Sequence, residues 1–331
     1  MSTLLIIPGA QKSGTGSLVQ LLRQHADIQP GQIKEPQFFA MQPPVVAQWA
    51  RWYRQEFFPA SDCRYQIDGS TMYLHSAEAP SLIAAQDPEA RIVITLRDPA
   101  SRTYSSWQHL HKKISRPDQR SYTQVLREVS SEAAALGIWD SEQAAIDAAI
   151  KAGCIDTGYL GADYGLDKWP RPFAADFQDP LQLFRYFGLS QYRIGVERFE
   201  AAFPGRVKVI YFEQLVRNPH AVVREVTDFL QVDWPAAWDG EGLLGHRNET
   251  RTPKSPWVHA AFTAGKRLGI TSNRIRALKP LSNFLRQKLW EKPAKVSQEL
   301  RAETQELLMD EYRYWHARDS RLTELWPVLP R

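Results

Sequence analysis

Lys12 stands between two glycines in the run Pro8-Gly9-Ala10-Gln11-Lys12-Ser13-Gly14-Thr15-Gly16-Ser17. A glycine-bearing turn aims backbone N–H groups inward, the hydroxyls of Ser13, Thr15 and Ser17 add short donors, and Lys12 brings a full positive charge. Together these residues suit an anion of phosphate-like shape and charge. An ordinary turn with an exposed lysine is the alternative.

A nucleoside-triphosphate loop reads G-x-x-x-x-G-K-[ST], with its lysine directly after the second glycine and a hydroxyl behind it for magnesium. Gly9 and Gly14 keep that glycine spacing, but Thr15 and Gly16 follow, and the lysine lies inside the loop. Such a loop suits a nucleotide whose reactive group is carried on its 5′-phosphate, with no γ-phosphate and no obligatory metal. A second constellation is Arg97, which ends an apolar run, and Ser105 beyond it. Arg102 and Ser105 stand at i and i+3 and so share a helical face. An arginine fork with a hydroxyl suits a phosphomonoester; for Arg97 the alternative is a surface ion pair. A third is Glu35, in Lys34-Glu35-Pro36-Gln37-Phe38-Phe39. A carboxylate beside a proline and before apolar rings is expected to be partly desolvated, which would raise its basicity for general-base work. Pairing to Lys34 or to a helix N-terminus is its structural alternative. His75 is a second candidate base, or a helix-start or surface residue.

These residues need elements to hold them. Leu4-Leu5-Ile6-Ile7 predicts a strand running into the Lys12 loop. Leu18, Val19, Leu21 and Leu22 predict a helix behind it, closing near His25, whose N-terminus adds about half a positive charge to the site. Pro36 disfavours helix at Glu35, so the segment from Ile33 is expected to be extended or a loop, with Phe38 and Phe39 pinned to the core. Val45, Trp49, Trp52, Tyr53 and Phe57 have helical spacing. Tyr65-Gln66-Ile67-Asp68 predicts a short strand, and Arg91 to Arg97 a central one, rich in β-branched residues. Asp98-Pro99 then reads as the N-cap and first residue of a helix to about His111. Further on, the expectations are two amphipathic helices in 121–153, a long loop of lid or binding type in 154–180 and a helix over Leu181–Phe203. A strand over Val207–Phe212, a helix from Asn218-Pro219, an irregular stretch over 233–256 and helices through most of 257–316 complete the chain.

Strands separated by helices predict an α/β fold, a P-loop-like three-layer sandwich with a central, mainly parallel sheet flanked by helices. Binding loops then gather at the carboxyl ends of the strands. The Lys12 loop, the turn after Asp68 and the Arg97–Ser106 element would share that edge. One domain over 1–331 is expected, with a helical insertion at about 114–185 and a helical C-terminal part at about 257–316.

At 331 residues and 43% apolar composition the chain can bury a sizeable core. Its 41 Lys and Arg against 37 Asp and Glu leave a net charge of +4, spread along the chain. That suits an anionic cofactor and argues against nucleic-acid binding. Cys63 and Cys154 form no metal-ligand spacing, so no metal site and a reduced setting are expected. No run approaches the roughly 18 apolar residues of a membrane span, and the first residues already read as a strand. Neither a signal peptide nor a membrane anchor is expected, which predicts a cytoplasmic protein; oligomeric state has no signature in the sequence.

The segment G-x-x-K-S-G-T between strand and helix resembles the 5′-phosphosulfate loop of sulfotransferases that use 3′-phosphoadenosine 5′-phosphosulfate (PAPS). L-R-D-P-x-x-R-x-Y-S-S, from Leu96 to Ser106, resembles their 3′-phosphate site. The resemblance implies that Lys12, Ser13, Gly14, Thr15, Gly16 and Ser17 hold the 5′ end of PAPS and that Arg97 and Ser105 hold its 3′-phosphate. Adenosine 3′,5′-bisphosphate would be the product. Lys34 to Phe39 is similar to the K-E-x-x-F-F stretch of heparan-sulfate-type and related bacterial members, which implies Glu35 as base and Lys12 as stabiliser of the leaving phosphate. Those members often carry histidine where this chain has Gln37, so a second acid–base group is missing and Gln37 is left as a substrate contact. Asp68-Gly69-Ser70-Thr71-Met72-Tyr73 resembles the family's acidic-K-S/T-P-x-Y turn, with Gly69 and Thr71 replacing lysine and proline. Ser70 and Tyr73 carry over as substrate contacts. Asn248 to Pro256 is similar to a basic, proline-containing loop of bacterial members, which implies Lys254, or Arg251, over the cofactor; a solvated basic loop is the alternative. Phe203 to Leu230 and 297–316 resemble the family's late strand–helix pair and closing helix.

The implied activity is sulfuryl transfer to a hydroxyl of a carbohydrate, lipid or other small-molecule acceptor. Two other readings stand beside it. A kinase or nucleotide hydrolase predicts lysine directly after Gly14, where the sequence has Thr15. A nucleotide-binding module without catalysis has no use for both Lys12 and Glu35.

Overall fold

The computed structural model describes residues 2–40, 43–55, 57–58, 62–111, 120–129, 186–239, 252–253, 288, 290–291 and 294–329. Five short apolar segments pair as strands: β1 (Thr3–Ile6), β2 (Ile28–Pro30), β3 (Tyr65–Asp68), β4 (Arg91–Leu96) and β5 (Val207–Tyr211). They form one sheet in the order β2-β3-β1-β4-β5, and every pairing is parallel. Strand side chains alternate between faces, and here both faces are apolar. Leu4, Ile6, Ile92 and Ile94 enter one core cluster, while Leu5, Ile7 and Val93 enter another.

Helices cover both faces. The chain supplies α1 (Thr15–Leu22), α2 (Pro43–Gln55), α3 (Ala79–Gln86), α4 (Pro99–His111), α5 (Tyr122–Glu128), α6 (Arg193–Ala202), α7 (Phe212–Arg217), α8 (Pro219–Leu230), α9 (Gln298–Leu307) and α10 (Met309–Arg318). Leu18 and Leu22 of α1 pack with Val222 and Val226 of α8 on one side. Ile83 of α3, Ala100 of α4, Phe199 of α6 and Trp315 of α10 pack on the other. The result is the expected three-layer α/β sandwich. From β1 the chain first builds one side of the sheet and then crosses to β4 and β5. Because α1 and α4 leave neighbouring strands towards opposite faces, a crevice opens beyond the carboxyl ends of β1 and β4, the switch point where such sheets bind ligands.

The strand expected at 65–68 and the helix at 99–111 are present, the strand expected over Arg91–Arg97 ends one residue earlier at Leu96, and Asp98 Oδ1 accepts from the Ser101 N–H at 2.7 Å as an N-cap does. The segment from Ile33 to Gln37 is a loop, one of the two expected forms, and Phe38 and Phe39 are buried in the single 3₁₀ turn that follows it. Other expectations need correction. β2 and α3 are not among the expected elements, because β2 has three residues, too few to show a period, and α3 carries little amphipathic contrast. The described part of the helix expected over Leu181–Phe203 is broken: Tyr186 is helical, a 3₁₀ turn follows at Gly188–Ser190, and helix resumes at Arg193–Ala202. Tyr186, Phe187, Leu189 and Tyr192 are all buried, which one straight helix with one core face would not achieve. The expected irregular stretch contains a short pairing of Thr252–Pro253 with Trp290–Glu291, and the closing helix is two helices that meet at Leu308. The expected loop at 154–180 and most of the helical insertion lie outside the described residues.

Candidate active site

The loop after β1 is held by its backbone. The Ala10 N–H donates to the Thr95 carbonyl at 2.6 Å, Thr95 returns bonds from its N–H (2.8 Å) and hydroxyl (3.0 Å) to the Gly9 carbonyl, and the Leu74 N–H donates to the Pro8 carbonyl at 2.9 Å. Lys12 has φ 68° and Gly14 φ 87°, so the chain passes twice through the left-handed region before α1 starts. Gly14 is the N-cap of α1, and a methyl group there would stand 2.8 Å from Phe212 Cδ2, so glycine meets both a backbone and a packing demand. Ser13 is fully buried, and its hydroxyl has no hydrogen-bond partner among the described residues. Thr15 is buried as the first residue of α1, while Gly16 and Ser17 are partly buried on its first turn. A buried orphan hydroxyl beside a lysine at a helix N-terminus is the environment an oxyanion satisfies.

Arg97 reaches this loop from the end of β4. Its Nη1 donates to the Lys12 carbonyl at 3.1 Å, and its guanidinium lies 4.6 Å from the centroid of the Phe212 ring. Its Nε is buried without a partner among the described residues. Arg102 lies deeper, at 0% exposure, with Nη2 donating to the Tyr186 carbonyl at 2.8 Å. Three cations are thereby gathered in one place, with consequences for each. Burial pushes the Lys12 ammonium down to about 8, and Arg97 and Arg102 push it the same way while Glu35 opposes them. Burial also lowers Arg97, against the pull of Glu213, and brings Arg102 down to about 10. A charge-matched anion relieves such a site.

Glu35 lies close enough to Lys12 to act on its charge. Its carboxylate pairs with Lys34 and accepts from Thr71 Oγ1 at 3.1 Å and from Gln37 Nε2 at 3.4 Å. The ion pair with Lys34 is therefore present, alongside the proximity to Lys12 that a base at this site requires. Gln37 has φ 57°, and its Oε1 is buried without a partner among the described residues.

Ser70 and Tyr73, expected to touch the acceptor, are fully buried instead. The Ser70 hydroxyl accepts from the Gln37 N–H at 2.9 Å. The Tyr73 hydroxyl accepts from the Phe39 N–H at 3.2 Å and donates to Asp68 at 2.8 Å. They brace the Glu35–Phe39 segment from beneath because the turn after β3 passes under it. Asp68, which also accepts from Tyr53 at 2.7 Å, is held above the usual carboxylate range by burial. His75 is buried too, and burial with Arg102 and Arg198 nearby drops it to about 3, so it stays neutral at ordinary pH. Arg102 and Ser105 do not share an environment: Arg102 is buried and Ser105 only partly so. Lys254 and Arg251 lie outside the described residues.

Further residues enter the site that the motifs did not indicate. Tyr192 donates its hydroxyl to the Arg97 carbonyl at 2.9 Å. Glu213, at the start of α7, accepts from the Asp98 N–H at 3.0 Å and from Trp326 Nε1 at 3.0 Å. Tyr312 and Arg301 donate to Asp98 Oδ2 at 2.8 and 3.2 Å. The C-terminal helices thus clamp the Arg97–Asp98 turn. Phe212 carried a signal only as the last residue of the strand expected over Val207–Phe212; in the structure that strand ends at Tyr211 and Phe212 opens α7.

Comparison with known proteins agrees with this geometry. Residues 2–143 match the model of the sulfotransferase domain. Heparan sulfate glucosamine 3-O-sulfotransferase 3A1 of Mus musculus is 25% identical over 225 residues, 68% of this chain and 44% of the relative. Bifunctional heparan sulfate N-deacetylase/N-sulfotransferase 1 of Caenorhabditis elegans is 34% identical over 111 residues, 32% of this chain and 13% of the relative. The chain spans less than half the length of either. A sulfotransferase from Alicyclobacillus acidocaldarius shares the fold, with a TM-score of 0.51 and 21% identity over 80% of this chain and 90% of that one. The Lys12 loop, Glu35, Arg97 and Ser105 all fall within residues 2–143, the segment that matches the sulfotransferase domain model.

Proposed function

We propose that this protein transfers a sulfuryl group from PAPS to a hydroxyl acceptor, at the crevice between the ends of β1 and β4. The observation that carries the reading is the joining of Lys12 and Arg97 by one hydrogen bond around a loop whose Ser13 hydroxyl is buried and unpartnered. PAPS supplies the sulfuryl group, which moves in line from its phosphate oxygen to the acceptor oxygen, as in phosphoryl transfer. In this reading the Lys12 ammonium, the Ser13 and Thr15 hydroxyls and the N–H groups opening α1 hold the 5′ end, with Gly14, Gly16 and Ser17 shaping the turn. Lys12 neutralises the charge that develops on the phosphate oxygen as its bond to sulfur breaks. Glu35 takes the proton of the acceptor hydroxyl as the new sulfur–oxygen bond forms, and Thr71, Lys34 and Gln37 hold its carboxylate in place. Arg97 and Ser105 take the 3′-phosphate, and adenosine 3′,5′-bisphosphate is released.

The names of the similar proteins point to heparan sulfate as their acceptor; for this chain we extend that to a glycan or other small-molecule hydroxyl, with Gln37 facing it. Ser70 and Tyr73 serve by bracing Gln37 and Phe39. Among the described residues no helix is long and apolar enough to cross a membrane, and a cytoplasmic setting belongs to the same proposal. A screen of glycan and small alcohol acceptors with sulfur-labelled PAPS tests the activity. A titration with PAPS, adenosine 3′,5′-bisphosphate and ATP separates it from a kinase. Tight binding of both adenosine bisphosphate ligands with no transfer to any acceptor would favour the non-catalytic module.

A further inference from the structure

β4 and β5 run in register, with Leu96 opposite Tyr211. The next residues, Arg97 and Phe212, therefore leave the sheet side by side at its carboxyl edge. The Phe212 ring takes up two contacts there. One face lies under the Arg97 guanidinium, 4.6 Å from ring centroid to Cζ. Its edge meets the loop at Gly14, so closely that a methyl group on that glycine would stand 2.8 Å from Cδ2 and 3.3 Å from Cε2. Arg97 is otherwise fixed by the bond from Nη1 to the Lys12 carbonyl, which holds one end of the fork but leaves its plane free to turn about that contact. A flat aromatic face defines that plane, because a guanidinium stacks parallel to a ring and keeps its N–H groups pointing outward in the plane. Aliphatic side chains fill the same space without setting an orientation.

We propose that Phe212 is a positioning residue for the nucleotide's 3′-phosphate: its ring orients the Arg97 fork while seating against the Gly14 turn, and so sets the geometry between the two ends of the nucleotide site. This rests on the reading of Arg97 given above. Phe212 itself touches no reacting atom. Leucine at 212 would keep apolar contact with Gly14 but remove the face under Arg97; tyrosine would keep both. The two ends of the nucleotide should then respond unequally.

Calorimetric titration of the full chain with adenosine 3′,5′-bisphosphate and with adenosine 5′-monophosphate tests this, with a thermal melt of each variant. Wild type is expected to prefer the bisphosphate. Phe212→Leu should lose about tenfold in bisphosphate affinity, the scale of a desolvated cation–π contact, while monophosphate affinity changes much less; Phe212→Tyr should restore the ratio. If Phe212→Leu does not fold, Phe212→Met provides the same comparison. An unchanged ratio in the folded leucine or methionine variant, with the wild-type preference intact, would overturn the role of Phe212 alone. A wild-type protein indifferent to the 3′-phosphate would instead overturn the reading of Arg97 and this inference with it.

Discussion

Arg97 donates from Nη1 to the backbone carbonyl of Lys12 across 3.1 Å, so the end of β4 and the loop after β1 are locked to each other before any ligand arrives. The bond uses only one arm of the guanidinium and leaves the Lys12 ammonium to act elsewhere. Two charges that oppose each other are thereby held side by side for one anion, the preorganisation that transition-state stabilisation requires.

Replacing Lys12 by alanine is expected to reduce turnover at saturating PAPS by about 10²–10³-fold, the usual cost of losing a preorganised donor to a developing charge. Cofactor affinity should fall much less. Near-normal turnover in a steady-state assay would show that another group neutralises the leaving oxygen.

The Lys12 ammonium lies at about 8 instead of its usual 10.5, because of burial and then of Arg97 and Arg102. Above about pH 8 the free protein loses this charge, and affinity for adenosine 3′,5′-bisphosphate should decline as pH rises further. Lys12→Arg, which keeps its charge, should flatten that decline. Between pH 8 and 10.5 the unfolded chain binds more protons at this position than the folded one, so Lys12 contributes stability that increases with pH across that window. Titrations at stepped pH on both proteins provide the comparison.

Glu35→Gln should leave the affinity for PAPS close to wild type and reduce transfer by about 10²–10⁴-fold, the range for a lost general base. Thr71→Val, which removes one donor to the carboxylate, should reduce transfer by roughly tenfold or less, as loss of one supporting hydrogen bond does. Single-turnover assays distinguish the chemical step from binding. A sizeable loss of PAPS affinity in Glu35→Gln would place the residue in the cofactor site instead.

Arg97→Ala should weaken adenosine 3′,5′-bisphosphate by about one to two decades, the worth of a charge-assisted contact of roughly 1.5–3 kcal/mol. The 5′-monophosphate should change far less. Equal weakening of both would mean that the arginine serves the loop through its bond to Lys12, with the 3′-phosphate held elsewhere.

Gly14→Ala combines a left-handed backbone with a contact to Phe212 shorter than real side chains tolerate. It should lower stability by about 1 kcal/mol or more, visible as a lower melting temperature, and should weaken nucleotide binding together with it. A melt unchanged from wild type would contradict the tight seat of the loop on Phe212.

The local pieces of the fold are legible in the residues alone. Strand, glycine turn, lysine and helix follow one another between Thr3 and Leu22 by short-range rules, a continuous apolar run and positive φ at glycine, and Asp98 with Pro99 behind it caps α4 in the same local way. The layered parallel sheet followed from the alternation of such pieces. Which of them meet depends on how the assembled sheet lines them up. Parallel register brings Arg97 beside Phe212 and against Lys12, a relation between distant segments that no local period encodes. Burial was also decided there. Ser70 and Tyr73 carry hydroxyls that suit an acceptor in sequence, yet the turn after β3 runs beneath the Glu35 segment and draws both into its hydrogen bonds. Arg102 and Ser105 share a helix face by count, but the side of α4 that packs on the core takes the arginine and leaves the serine half-buried at its margin. Charge and hydroxyl content are written residue by residue, whereas access to solvent depends on what the rest of the chain lays over them.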